Sequence, residues 1–183
     1  STADKIGFQV GDVNMANFTE TAQDIIDFNP GAGDVDFKVR SNNLDNVLFI
    51  EGSSGKIAMG GTSSPKNILQ INHAGADGDD GLLIVRADAS TTDDDLLGGI
   101  GFDSTDGNVP SSVLEASAYI AGYASEDHGT GDKGGYIVFG ASLTNDNDDT
   151  TSHERMRVSN SGHVGIAKTA PNSPLHVYST LKL

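Results

Sequence analysis

Residues 158–177 read VSNSGHVGIAKTAPNSPLHV, and residues 50–71 read IEGSSGKIAMGGTSSPKNILQI. With Gly55 placed over Gly162, both stretches follow one plan: strand, tight glycine turn, short strand, small-residue corner with a proline, and another short strand. They slip by one residue near Gly60 and Gly61. A unit this short cannot bury both faces alone, so the repeat predicts stacking along an axis or winding around sister chains. The alternative is two unrelated hairpins.

Short segments of period-two alternation, bounded by Gly, Asn, Asp, Ser or Pro, predict strands along most of the chain. They are residues 37–40, 56–59, 67–71, 99–102, 136–139, 155–158, 163–166 and 175–178. Residues 37–40 and 155–158 carry Lys or Arg on one face, and we interpret each as the strand preceding a repeat copy.

Other segments are continuously apolar or ambiguous. Residues 47–50 and 82–85 are apolar throughout, which predicts strands buried on both faces. Residues 113–121 fit either a strand or a helix of about two turns, and the flanking Pro110 and Gly122 favour the strand. For residues 23–28 the sequence does not decide between a strand and a helix.

The composition indicates an all-β fold with an acidic surface. The chain has 183 residues, 23 of them glycine, no cysteine and a formal charge of −15. Glycine and aspartate favour turns and disfavour helix interiors. The negative charge argues against nucleic-acid binding and against attachment to anionic membranes. No apolar run approaches the roughly 20 residues of a membrane span, and disulfides are excluded.

The predicted core is thin for a chain of this length. The repeat copies place the following residues in the interior: Ile57, Met59, Leu69, Ile71, Val164, Ile166, Leu175 and Val177. Burying each such side chain contributes about 1.5–3 kcal/mol, whereas ordering each backbone residue costs about 1–2 kcal/mol. We therefore expect the fold to be completed by other copies of the chain, with the acidic exterior opposing lateral clumping.

The repeat resembles a signature of bacteriophage tail-fibre proteins. That signature runs ERMRI, two to four polar residues, GNVGIGTTSP, a short gap and LxV. This chain has ERMRV at 154–158, GHVGI at 162–166, TAP at 169–171 and LHV at 175–177. Residues 36–65 resemble the family's DFxV…LFVDG…GxVGIGT.SP stretch, and residues 98–140 its spacer. His163 stands where Asn is usual, and Ala167-Lys168 where Gly-Thr is usual.

The resemblance implies an elongated homotrimeric fibre of short strands, in intertwined or stacked β-repeat modules, exposed on a virion. Family members often end in a self-cleaving chaperone domain. No residues here match that domain, so we expect a segment or a cleaved product. We divide the chain into an N-terminal β segment (1–36), a first repeat signature (37–72), an acidic spacer β domain (73–153) and a second repeat signature (154–183).

No pattern in the sequence indicates catalysis. The G-x-S-x-G, G-x-x-x-x-G-K-[ST] and H-E-x-x-H motifs are absent, and we predict no catalytic, cofactor-binding or metal-binding residues. His163 and His176 are expected to face solvent; facing a threefold axis, they could bind a metal. Four Asp-rich segments are interpreted as solvated turns, with Ca²⁺ sites as the less favoured alternative. They are residues 77–81, 93–95, 103–107 and 146–149.

The predicted function is non-enzymatic host-surface recognition by a structural and adhesive segment of a tail-fibre-like appendage. Its expected partners are itself as a homotrimer, a host-surface glycan or protein, and other tail proteins, with neither nucleic acid nor membrane insertion. Residues 104–112 and 124–133 are the candidate receptor loops, which would bind by avidity. The alternatives are a polysaccharide-degrading tailspike and a bacterial extracellular adhesin or filament subunit.

Overall fold

The computed structural model describes residues 5–19, 25–73, 81–107, 109–147 and 150–178. These residues contain strands and no helix, which confirms the all-β prediction. The strands are β1 Lys5–Val10, β2 Val13–Thr19, β3 Ile25–Phe28, β4 Phe37–Val39, β5 Leu48–Ile50, β6 Ile57–Met59, β7 Leu69–Ile71, β8 Leu96–Phe102, β9 Ala118–Ala124, β10 Gly135–Ala141, β11 His153–Val158, β12 Val164–Ile166 and β13 Leu175–Val177. Within the described residues, no helix is long and apolar enough to span a membrane.

The chain divides into two compact units, Ser1–Leu82 and Leu83–Leu183. The first unit contains a three-stranded sheet of order β1-β2-β3 and a four-stranded sheet of order β4-β5-β6-β7. The second contains a six-stranded sheet of order β13-β12-β11-β10-β9-β8. The four-segment division of the sequence stays a prediction, and its boundary between 153 and 154 falls within the strands of this one sheet.

Each of the eight alternating segments predicted as strands overlaps a strand of the structure, and residues 47–50 contain β5. Residues 25–28 form β3, while 23 and 24 lie outside the described residues. The ambiguous window is not a helix, and only its last part is a strand, because β9 starts at Ala118. Residues 113–115 form a turn instead. The Asp103 carboxylate accepts the Ser117 N–H at 2.8 Å and thereby fixes the end of this loop.

The prediction that residues 82–85 form a strand buried on both faces is wrong. The segment lies outside every sheet, and Leu83 is 83% exposed. The residue that follows, Arg86, pairs with Asp88 at 2.7 Å and Asp95 at 3.2 Å and donates to the Leu96 carbonyl. These bonds hold the chain in a loop up to the start of β8.

Two four-stranded modules share one pairing plan. In the first module (β4–β7), β4 pairs antiparallel with β5, β5 antiparallel with β6, and β6 parallel with β7. In the second module (β10–β13), the four strands pair in the same order and directions. The interpretation of residues 155–158 as a strand preceding the second copy is therefore wrong. They lie in β11, the counterpart of β5, and the counterpart of β4 is β10.

Backbone hydrogen bonds repeat between the modules as well. The Ile57 N–H donates to the Ile68 carbonyl in the first module, as the Val164 N–H does to the Pro174 carbonyl in the second. Likewise, Asn72 N–H to Met59 O corresponds to Tyr178 N–H to Ile166 O. Finally, Gly60 N–H to Val47 O corresponds to Ala167 N–H to Arg155 O. The corner residues Gly60 and Ala167 both have left-handed backbones, with φ of 90° and 52°. Ala167 therefore adopts the glycine-like conformation at the position where its sequence departs from the tail-fibre signature.

Candidate functional site

Each module presents one sheet face made entirely of apolar side chains, which we call the open face. In the first module the open face is Phe37, Val39, Leu48, Ile50, Ile57, Met59, Leu69 and Ile71. In the second it is Ile137, Phe139, Met156, Val158, Val164, Ile166, Leu175 and Val177. All of these residues are half-buried or exposed. The eight predicted interior residues all lie on these faces, and the single chain does not bury them.

Equivalent positions of the two open faces are exposed to a similar extent. Leu69 and Leu175 are each 56% exposed, and Met59 and Ile166 are 46% and 41% exposed. Isolated exposed apolar side chains are ordinary on protein surfaces, but contiguous apolar patches mark interaction sites. The open faces are patches of the second kind.

Neighbouring strands extend the apolar surface in both units. In the six-stranded sheet, Ile120 on β9 and Ile100 on β8 continue the open face, and both are exposed. Together with Ile84 and Ile137 they line a shallow apolar groove of about 270 Å³. In the first unit an apolar cavity of about 540 Å³ adjoins the open face, since its lining includes Phe37, Ile50 and Phe28.

Few apolar side chains of the described residues are buried within the single chain. They are Ala16, Phe49, Ala58, Ala116, Tyr119, Ala121, Ala124 and Val138. Among the described residues, Phe49 is the largest side chain that is fully buried. The expectation of a thin core is confirmed.

We call the opposite face of each module the covered face. It is overlaid by the loop that joins the module's two parallel strands, which we call the crossover loop (residues 60–68 in the first module and 167–174 in the second). In the first module, Phe49 on β5 is 2% exposed and Ala58 on β6 is 0% exposed. In the second module, Gly165 occupies the position of Ala58 and is also buried. A side chain there would overlap the carbonyl oxygen of Lys168 in the crossover, so only glycine fits.

Arg157 occupies the position of Phe49 on the second covered face and builds a polar stack. Its Nε and Nη2 donate to the two carboxylate oxygens of Glu154, both at 2.7 Å. Its guanidinium carbon lies 4.5 Å from the Tyr136 ring centroid. Tyr136 stacks in turn on Tyr123 at 5.2 Å and donates its hydroxyl hydrogen to Asp94 at 2.8 Å. The stack thus runs from the Glu154 carboxylate through the Arg157 guanidinium to two adjacent tyrosine rings, and a second carboxylate binds the Tyr136 hydroxyl.

The environment of the stack shifts the pKa values of its members in consistent directions. Burial raises the pKa of Tyr123 to about 12. Burial, and then the hydrogen bond to Asp94, raise the pKa of Tyr136 above its ordinary value. The hydrogen bonds to Glu154 raise the pKa of Arg157. Both tyrosines are therefore neutral and Arg157 is charged at every pH near neutrality.

The two histidines of the second repeat are half-buried, whereas their alternation with apolar neighbours predicts that they face solvent. The ring of His163 makes a hydrogen bond with the Pro171 carbonyl oxygen at 3.3 Å, and Nδ1 of His176 accepts the Asn172 N–H at 3.4 Å. The loop between β12 and β13 therefore covers both rings, because it folds back over the covered face of the sheet. His176 pairs with Gly165, which places it on the covered face.

Where the Asp-rich segments are described, their carboxylates bond to nearby backbone. Asp95 accepts the Thr92 N–H at 2.7 Å, Asp103 the Ser104 N–H at 2.7 Å, and Asp146 the Leu143 N–H at 2.6 Å. No group of three or more His, Asp or Glu side chains within the described ranges could hold a metal ion. Residues 77–80, 148 and 149 lie outside those ranges.

The two candidate receptor loops lie at opposite ends of the six-stranded sheet. Residues 104–112 belong to the connection from β8 to β9, and residues 124–133 to the connection from β9 to β10. The second loop is tied to the turn before β8, because His128 N–H donates to the Thr91 carbonyl and Asp93 N–H to the Asp127 carboxylate, both at 3.0 Å. Its first residue within the turn, Ser125, lines a polar cleft with Arg157 and Tyr136.

The solved structures that resemble the chain do so remotely. No protein-family model and no curated protein matches the chain. The carboxy-terminal domain of the bacteriophage T5 L-shaped tail fibre is similar at 18% identity and a TM-score of 0.41, over 50% of this chain and 34% of that one. The chain therefore matches about a third of that structure's length.

Proposed function

We propose that the chain is a structural and adhesive segment of a tail-fibre-like virion appendage, acts without catalysis and assembles as a homotrimer. The observation that carries the proposal is the pair of open faces, each with eight apolar side chains that its own chain leaves accessible. Covering such faces contributes about 25 cal/mol per Å² of apolar surface, which supplies what the thin core lacks.

The charge distribution favours sister chains as the partners that cover these faces. Each chain carries a formal charge of −15, so three carry three times that, −45. Neither open face contains a charged residue. Identical chains can therefore meet there without burying like charges, while their acidic surfaces keep separate assemblies apart. The number three rests on the resemblance of the repeat to tail-fibre signatures.

The adhesive part of the proposal concerns the loops at the ends of the six-stranded sheet. A trimer presents each loop three times, and three weak contacts with a host-surface glycan or protein add by avidity. Other tail proteins complete the proposed set of partners. Nothing in the proposal requires a reaction, because the recognition is binding alone.

Incubation with a panel of purified bacterial surface polysaccharides tests this function against the enzymatic alternative. We expect the chain to be retained on at least one immobilised polysaccharide and to release no new reducing ends. Release of reducing ends would instead identify a polysaccharide-degrading spike. Retention on none of the panel by an intact trimer would contradict recognition of glycans and leave a host protein as the receptor.

A further inference from the structure

The second module contains a polar cleft. The cleft has a volume of about 290 Å³ and is lined by the turn before β8, the glycine turn between β11 and β12, and the corner after β12. Arg157 lies at its wall, where the first module has the buried Phe49. Since the strands pair identically in both modules, a guanidinium in the second module stands at the position of a phenyl ring in the first.

We propose that this cleft binds one neutral, hydroxyl-rich sugar unit of a glycan. The proposal rests on the adhesive function proposed above and names its recognition site. The volume lies at the lower end of the range for small-molecule sites, which fits a single sugar residue of a longer chain.

The polar groups of the cleft retain hydrogen-bonding capacity. Arg157 uses Nε and Nη2 on Glu154, and its Nη1 has no acceptor among the described residues. The side chains of Asn160 and Thr169 have no partner there either. The Ser125 hydroxyl is buried and unpartnered. Buried hydroxyls are normally hydrogen-bonded, and Ser125 lies in the lining of the cleft.

The charges of the cleft select against anionic ligands. Asp93 and Asp94 line one side, and Glu154 already pairs with the guanidinium of Arg157. An anionic sugar would therefore meet two carboxylates and a compensated cation on a chain of charge −15. A neutral sugar instead donates its hydroxyls to the carboxylates and accepts from the arginine and the amide.

Saturation-transfer NMR on the 183-residue chain tests the site, with glucose, galactose, mannose and N-acetylglucosamine as neutral probes and glucuronic acid as the anionic probe. We expect at least one neutral sugar to receive saturation and glucuronic acid to receive none. The Arg157→Phe variant, which installs the residue of the first module, should weaken the signal at least fivefold. Ser53→Ala, in the corresponding turn of the first module, should leave it unchanged.

A second variant keeps the test decisive if Arg157→Phe does not fold. Asn160 and Thr169 are exposed residues at the rim, and the double change N160A/T169A should weaken the signal at least threefold. The proposal is overturned if no neutral sugar receives saturation from a trimeric chain, or if folded variants of the cleft retain the full signal. A monomeric chain would instead contradict the proposed function. The mass of the protein in solution therefore distinguishes a failure of the sugar site from a failure of the proposed function.

Discussion

The first and second modules differ on one face and agree on the other. Every position of the open face is apolar in both modules. The covered faces differ at each central position: Lys38, Phe49, Ala58 and Gln70 stand against Val138, Arg157, Gly165 and His176. The covered face varies in chemical character between the modules, while the open face stays apolar. That contrast supports the proposal that sister chains cover the open faces.

Placing a charge on either open face should have the largest effect. We expect Ile166→Asp and Met59→Asp each to abolish the trimer at micromolar concentration, because a carboxylate held in an apolar interface costs at least about 2 kcal/mol in every copy. Light scattering of the purified variants measures this. Asn160→Asp, which adds the same charge to an exposed turn, is the control. An unchanged mass for both open-face variants would show that these faces are not the interface.

The two covered faces should respond unequally to truncation. Phe49→Ala removes a fully buried ring and should lower the free energy of unfolding by about 3–5 kcal/mol. Arg157→Ala should cost only about 1–2 kcal/mol, because it loses a partly solvated stack and one ion pair. Denaturant unfolding at one fixed protein concentration compares them. Equal losses would mean that Arg157 is a core residue, which would argue against a specialised second module.

The paired positions Ala58 and Gly165 should tolerate exchange poorly in both directions. Gly165→Ala places a methyl group against the carbonyl of Lys168, and overpacking of this kind costs about 1–3 kcal/mol. Ala58→Gly removes a buried methyl group and adds backbone freedom, which costs about 1–2 kcal/mol. Thermal unfolding reads out both changes. A stabilised Gly165→Ala variant would mean that the second crossover does not lie on β12.

The smallest effect concerns Asp88, which lies outside both modules. The hydrogen bond from Arg86, together with those from Ser90, lowers the pKa of Asp88 to about 2. Because this value lies below the unfolded one, the carboxylate stabilises the fold above about pH 4, and the contribution disappears as the pH falls towards 2. Asp88→Asn should therefore lower Tm slightly at pH 6, and the difference should shrink as the pH falls to 2. A difference at pH 2 as large as at pH 6 would contradict the assignment.

The sequence alone predicts the strands and the open faces but not how the strands combine. Period-two alternation places Ile57, Met59, Val164 and Ile166 on one face, and the glycine turns align the two copies. The parallel pairing of the last two strands in each module is set by a crossover loop, and alternation carries no information on direction. For the same reason the sequence does not show that β10 is the counterpart of β4.

The polar cleft lies beyond sequence reasoning for a different reason. Asp94 and Arg157 are far apart along the chain and meet only because β8 to β13 form one sheet. The one available signal is the alignment of the two copies, in which Arg157 falls opposite an apolar residue. Residues 82–85 show the converse failure, since an apolar run indicates burial only when strands are there to cover it.

Light scattering of the unmodified chain over a dilution series down to nanomolar tests the central claim most directly. We predict a constant mass of 57 kDa, three times the 19.0 kDa of one chain, with β-sheet circular dichroism throughout. A chain of 19.0 kDa that keeps its fold at nanomolar concentration would contradict the claim that sister chains cover the open faces.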